Sequence, residues 1–85
     1  MDDKELLAKI RNPETRNYGF NMLVRVYQQK VYGLARKMVI DHDDADDITQ
    51  EVFIKVHKAI GTFREDSQLY TWIFRIATNE SLTFL

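Results

Sequence analysis

The chain has 85 residues, a hydrophobic fraction of 45%, a net charge of -1 and no cysteine. That length holds one hydrophobic core and no second domain, and the lack of cysteine rules out a disulfide framework and fits a reducing, cytoplasmic setting. No stretch approaches the roughly 20 apolar residues of a membrane span, and the acidic start, Met1-Asp2-Asp3-Lys4-Glu5, lacks the apolar run of a secretory signal peptide.

With only three glycines and one proline, the sequence favours long helices over a turn-rich sheet. Leu6, Leu7 and Ile10 mark a short first helix. Asn12-Pro13-Glu14 then reads as a helix start, with Asn as cap, Pro in the first turn and an acid near the positive helix end. Phe20, Leu23, Val24, Tyr27, Val31, Leu34, Ala35 and Met38 recur at helical spacing, so the second helix runs to about Val39-Ile40. Gly33 in its middle is expected to mark a close helix crossing, because glycine is unfavourable inside a helix without such a reason.

Asp41-His42-Asp43-Asp44 is a polar break whose carboxylates suit the next helix start. That helix is expected from Ala45 to Ile60, with a buried stripe of Ile48, Val52, Phe53, Val56, Ala59 and Ile60 and with Gly61 as its C-terminal cap. A loop follows over Thr62 to Asp66. Ser67 opens the last helix, whose inner face is Leu69, Trp72, Ile73, Ile76 and Ala77; the same spacing puts Trp72 in the core. The expected fold is all-α: a compact bundle of three main helices with a short N-terminal helix. The last helix is still in register at Leu85, which suggests a piece of a longer protein.

The charge is unevenly placed. Residues 41–51 hold six acids and no Lys or Arg, between segments that are mildly basic, so partners of more than one charge sign are expected. The acidic block is not a calcium loop. Counted from Asp41, the sixth position is Asp46 and the twelfth Val52, where an EF-hand needs Gly and Glu. His42 and His57 have no zinc-ligand spacing, and His57 reads as a surface residue. No phosphate-binding glycine loop, nucleophile elbow or paired catalytic carboxylates occur. The sequence therefore reads as a binding domain, with no catalytic site, cofactor or metal.

Two groups of residues carry the functional argument. Asp47, Gln50, Glu51 and Ile54 share the outward side of the third helix at i, i+3, i+4 and i+7. Periodicity alone makes this a solvated face; its carboxylates and amide also suit a partner helix rich in Arg. The second group is the loop with the outer side of the last helix: Thr62, Phe63, Arg64 and Ser67 with Thr71, Arg75, Thr78 and Asn79. Phe63 either plugs the bundle end or walls a pocket in which an unstacked base is read by polar groups.

These residues resemble a known family. Asp44-Ala45-Asp46-Asp47-Ile48-Thr49-Gln50-Glu51-Val52-Phe53-Ile54-Lys55, then Phe63-Arg64-x-Asp66-Ser67, then Tyr70-Thr71-Trp72-Ile73-Phe74-Arg75-Ile76-Ala77-Thr78-Asn79, look like conserved region 2 of bacterial sigma factors of the extracytoplasmic-function (ECF) type. Phe20 to Ala35 is similar to that family's first helix. The resemblance implies a single region 2 domain over residues 1–85, working in transcription initiation in the bacterial cytoplasm. It implies docking on the coiled-coil of the RNA polymerase β′ clamp through Asp47, Gln50 and Glu51, beside Ile54. It further implies capture of a flipped base from the single-stranded non-template −10 element, with Ala59, Phe63 and Asn79 as pocket positions and Thr62 to Ser67 as the specificity loop. An anti-sigma factor is a further partner that the family admits, since such regulators often cover the polymerase-binding face. The competing function is a helical protein–protein module bound by a regulator without DNA reading.

The sequence also departs from the family. Glu65 stands where glycine is common and Thr78 where many members carry Arg, and Arg75 is the only cation of the last helix. Weak unaided affinity for DNA is expected, because phosphate contacts dominate binding strength. Region 4, the helix-turn-helix that reads the −35 element in this family, is not in the sequence.

Overall fold

A computed structural model describes residues 1–85 as α1 (Asp3–Arg11), α2 (Arg16–Met38), α3 (His42–Ala59), a 3-10 turn over Ile60–Thr62, and α4 (Leu69–Phe84). Asp2 caps α1 by accepting the Glu5 N–H at 2.9 Å, and Leu6, Leu7 and Ile10 turn inward. Asn12 does not start α2. It ends α1 in an extended conformation, and its side chain accepts the Glu14 N–H at 3.0 Å. The residue bends the chain within the α1–α2 connection, so Pro13 lies in a turn and α2 begins at Arg16.

The α1–α2 hairpin closes at Gly19. A Cβ there would stand 2.9 Å from both the Ile10 amide nitrogen and the Lys9 Cβ, so only glycine lets the two backbones come this near. Gly33, where a close crossing was expected, has open space around it. The hairpin is tied at its far end by Tyr27, whose hydroxyl donates to Asp3 Oδ1 at 2.7 Å. Burial, with the Asp3 carboxylate second, pushes the Tyr27 pKa far above its ordinary value.

Asp41 caps α3 by accepting the Asp43 N–H at 2.7 Å, which starts the helix three residues earlier than the apolar stripe alone suggests. Ala45, Ile48, Val52 and Val56 are at most 2% exposed and form the seam of the bundle. Gly61 is not a left-handed cap; no glycine has positive φ. The helix end is closed by the 3-10 turn, in which Thr62 Oγ1 donates to the Ala59 carbonyl at 2.7 Å and the Phe63 N–H to the Ile60 carbonyl at 3.2 Å. α4 begins at Leu69 and buries Leu69, Ile73, Ala77 and Ser81. The Ser81 hydroxyl is satisfied by the Ala77 carbonyl at 2.8 Å. Residues from all four helices meet in one core, against which Trp72 is half-buried. No helix is long and apolar enough to cross a membrane.

The two glycines of α2 generate opposite predictions. Gly33→Ala should raise stability by about 0.5–1 kcal/mol through helix propensity. Gly19→Ala should lower it by about 1–3 kcal/mol, because backbone and a Cβ must move apart. Denaturant titration of the two variants against wild type measures both signs.

Candidate functional site

The seam of α3 fixes which side of the helix faces out. Asp47, Gln50, Glu51 and Ile54 are exposed, Ile54 by 46%, and none of the three polar side chains is held by an ion pair within the chain. The periodicity therefore placed this strip correctly. Beside it lies a groove of about 620 Å³ between α2 and α3, with Phe20 and Val24 on one wall and Phe53, Ile54 and His57 on the other. Gln50 and Asp46 stand on its rim. His57 is exposed, as its position suggested, yet its ring meets Phe20 edge-on at 4.8 Å between centroids. Phe20 and Val24, two of the apolar residues at helical spacing in α2, are half-buried and packed against the core, leaving one side to the groove. The i, i+4 spacing of two large apolar residues beyond the fully buried stripe was the signal.

At the start of α3, Asp41, His42 and Asp43 bring one ligand atom each within 4.8 Å of the others. All three are exposed, and Asp41 is already committed to capping. Their closeness follows from the cap.

At the end of the bundle, Phe63 is only 6% exposed and packs on Trp72 with ring centroids 5.1 Å apart. It closes the bundle and forms a floor, offering no free ring face on which a base could stack fully. Above it is a polar hollow of about 390 Å³, lined by Thr62, Phe63, Arg64, Asp66, Ser67, Trp72 and Arg75. Asn79 is not part of it. Asn79 and Ala59 line a separate hollow of about 280 Å³ with Lys55, Ile76, Glu80 and Thr83. The expected single cup is thus divided, because Phe63 turns inward. The two hollows are neighbours: Arg75 and Asn79 are one helical turn apart on α4, ~6 Å along its axis. Thr71 and Thr78 line neither hollow.

The carboxylates around these hollows are partly matched. Lys55 is hydrogen-bonded to Glu80, and this bond is the main cause that raises the Lys55 pKa. Glu65 pairs with Arg11 of α1 at 3.1 Å. Glu65 is also the one non-glycine residue with positive φ, at 60°, a conformation that costs a non-glycine residue roughly 1–2 kcal/mol. The backbone at Glu65 is therefore one that favours glycine, the residue that the resemblance leads one to expect there. Arg11 was not singled out in the sequence, since no local pattern links it to a loop more than fifty residues away.

Because Phe63 is a packing residue, Phe63→Ala should destabilise the domain by about 3–5 kcal/mol. A thermal or denaturant midpoint close to wild type would show that its ring is not a floor of the bundle.

Comparison with known proteins places the chain in a family. The family model for sigma-70 region 2 matches residues 23–85. The RNA polymerase sigma-H factor of Pseudomonas aeruginosa is 41% identical over 83 residues, covering 98% of this chain and 42% of that protein. The ECF RNA polymerase sigma-E factors of Haemophilus influenzae and Escherichia coli K12 are each 38% identical over 85 residues, covering 100% of this chain and 43% of theirs. The chain thus spans less than half the length of these relatives. It belongs to the sigma-70 region 2 family, in the branch of the extracytoplasmic-function sigma factors.

Proposed function

We propose that residues 1–85 act as the region 2 unit of a transcription initiation factor in the bacterial cytoplasm. The α3 strip docks on the coiled-coil of the RNA polymerase β′ clamp, and the end of the bundle holds the single-stranded −10 element. The observation that carries the reading is the free, outward row of Asp47, Gln50 and Glu51 beside an apolar groove. A partner helix can lay an apolar edge on Phe20, Val24, Phe53 and Ile54 while its Arg side chains meet the carboxylates. Directional charge-assisted hydrogen bonds then set its register. An anti-sigma factor, where one exists, would use the same face.

The two hollows give the DNA-facing end a division of labour. The first, with Arg64 and Arg75 against Asp66, suits a phosphate and a base held edge-on. The second presents the Asn79 amide, a two-way partner for a base edge, next to the small Ala59. Flipping a base out costs a few kcal/mol, and contacts worth about 1–3 kcal/mol per base are of the right size to trap a strand already opened. Such contacts are too few to open duplex DNA alone, so this reading requires polymerase.

A paired experiment tests the two surfaces. Asp47→Ala with Gln50→Ala should weaken binding to polymerase core by about tenfold or more, with the thermal midpoint unchanged, since both side chains are exposed. Asn79→Ala should leave core affinity intact and change the preference among −10 sequences, by about 1–3 kcal/mol at the base it reads. Unchanged core affinity in the first variant removes the docking surface. A uniform loss across all −10 sequences in the second removes base reading by Asn79.

A further inference from the structure

The segment between Phe63 and Leu69 carries Arg64, Asp66 and Ser67 into the polar hollow, yet it has almost nothing of its own to hold it there. Residues 64–67 make no backbone hydrogen bond within the chain. Its ends are anchored by the buried Phe63 and Leu69. Between those anchors, the only side-chain hydrogen bonds that tie it down come from Arg11, at the last turn of α1. Arg11 Nη2 donates to the Phe63 carbonyl at 3.0 Å and Nη1 to Glu65 Oε2 at 3.1 Å. The planar guanidinium spans these two acceptors with two parallel N–H groups, which a lysine could not do.

The two contacts fall on either side of Arg64. Glu65 sits in the left-handed conformation at φ 60° and points toward α1, while its neighbours Arg64 and Asp66 line the hollow. A non-glycine residue persists in that conformation only when its surroundings hold it. Arg11 supplies that hold.

We propose that Arg11 is a positioning residue for base selection. By bridging the Phe63 carbonyl and the Glu65 carboxylate from α1, it keeps the Thr62–Ser67 loop in the shape with which the hollow discriminates among bases of single-stranded −10 DNA. The inference rests on the DNA-facing role proposed above, and it gives the N-terminal helix a part in specificity although that helix lines neither hollow. Of the α1 side chains, Arg11 is the one hydrogen-bonded to the loop.

The test uses the full chain bound to RNA polymerase core, comparing Arg11→Ala, Arg11→Lys and Arg25→Ala with wild type. Arg25 is exposed on α2, so its variant controls for the loss of one positive charge. Three quantities are measured: core affinity, the rate of limited tryptic cleavage after Arg64, and the affinity ratio for single-stranded −10 oligonucleotides that differ at one base. Arg11→Ala should speed cleavage of the loop and flatten the base ratio, each by about three- to tenfold, with core affinity within about twofold. Arg11→Lys should fall between it and wild type, and Arg25→Ala should keep the wild-type ratio. A merely structural Arg11 would lower core affinity and all DNA affinities together, and that result overturns the proposal. A wild-type base preference that Arg11→Ala leaves intact overturns this inference alone. A wild-type chain without any base preference overturns the DNA-facing reading along with it.

Discussion

The orientation of α3 is the constraint on which everything else depends. Ala45, Ile48, Val52 and Val56 recur at intervals of three and four residues and are almost wholly removed from water. Rotating the helix by one residue would expose that seam and turn inward either Asp47 with Glu51 or Asp46 with His57, adding the cost of unpaired buried polar groups to that of the lost apolar burial. The hydrophobic effect thus aims a polar strip that it does not itself include. The same seam sets the level at which the 3-10 turn ends the helix, and so where Phe63 meets Trp72 and where the loop begins.

Charge then separates the two working ends. The α3 strip keeps its carboxylates unpaired and available. Near the hollows the opposite holds: Glu80 is matched by Lys55 and Glu65 by Arg11. The sequence counts those two acids against DNA binding. With both matched within the chain, the polar hollow is left with Arg64 and Arg75 against Asp66. The repulsion of a phosphate backbone is smaller than composition suggests, although the surplus of one cation is still modest. On the proposed reading, firm DNA binding would fall to the polymerase complex as a whole.

What the sequence revealed follows the range of the interactions involved. Helix number, most of the buried stripes and the outward strip are consequences of 3.6-residue periodicity and were legible, although Ala59, Trp72 and Ile76, expected inside, are only half-buried. Choices between two local solutions were not. Asn12 could cap a helix or bend a turn, and Gly61 could close α3 in a left-handed conformation or join a 3-10 turn. In each case one set of short-range hydrogen bonds, from the Glu14 N–H to Asn12 and from Thr62 to the Ala59 carbonyl, prevailed over an equally local alternative. Close approach was assigned to Gly33, whereas the α1–α2 crossing demands it at Gly19. The division of the expected cup into two hollows was hidden for a related reason. Phe63 can either stand up or turn inward, and Trp72 gives it an inward partner. Arg11 was the least visible, because its role joins residues far apart in sequence.

Position-specific cross-linking in the assembled complex tests the central claim most directly. With a photoreactive side chain at position 50, or at position 64, in the chain bound to RNA polymerase core and single-stranded −10 DNA, position 50 should label the β′ clamp and position 64 the DNA. DNA labelling from position 50, or clamp labelling from position 64, would contradict the assignment of the two faces.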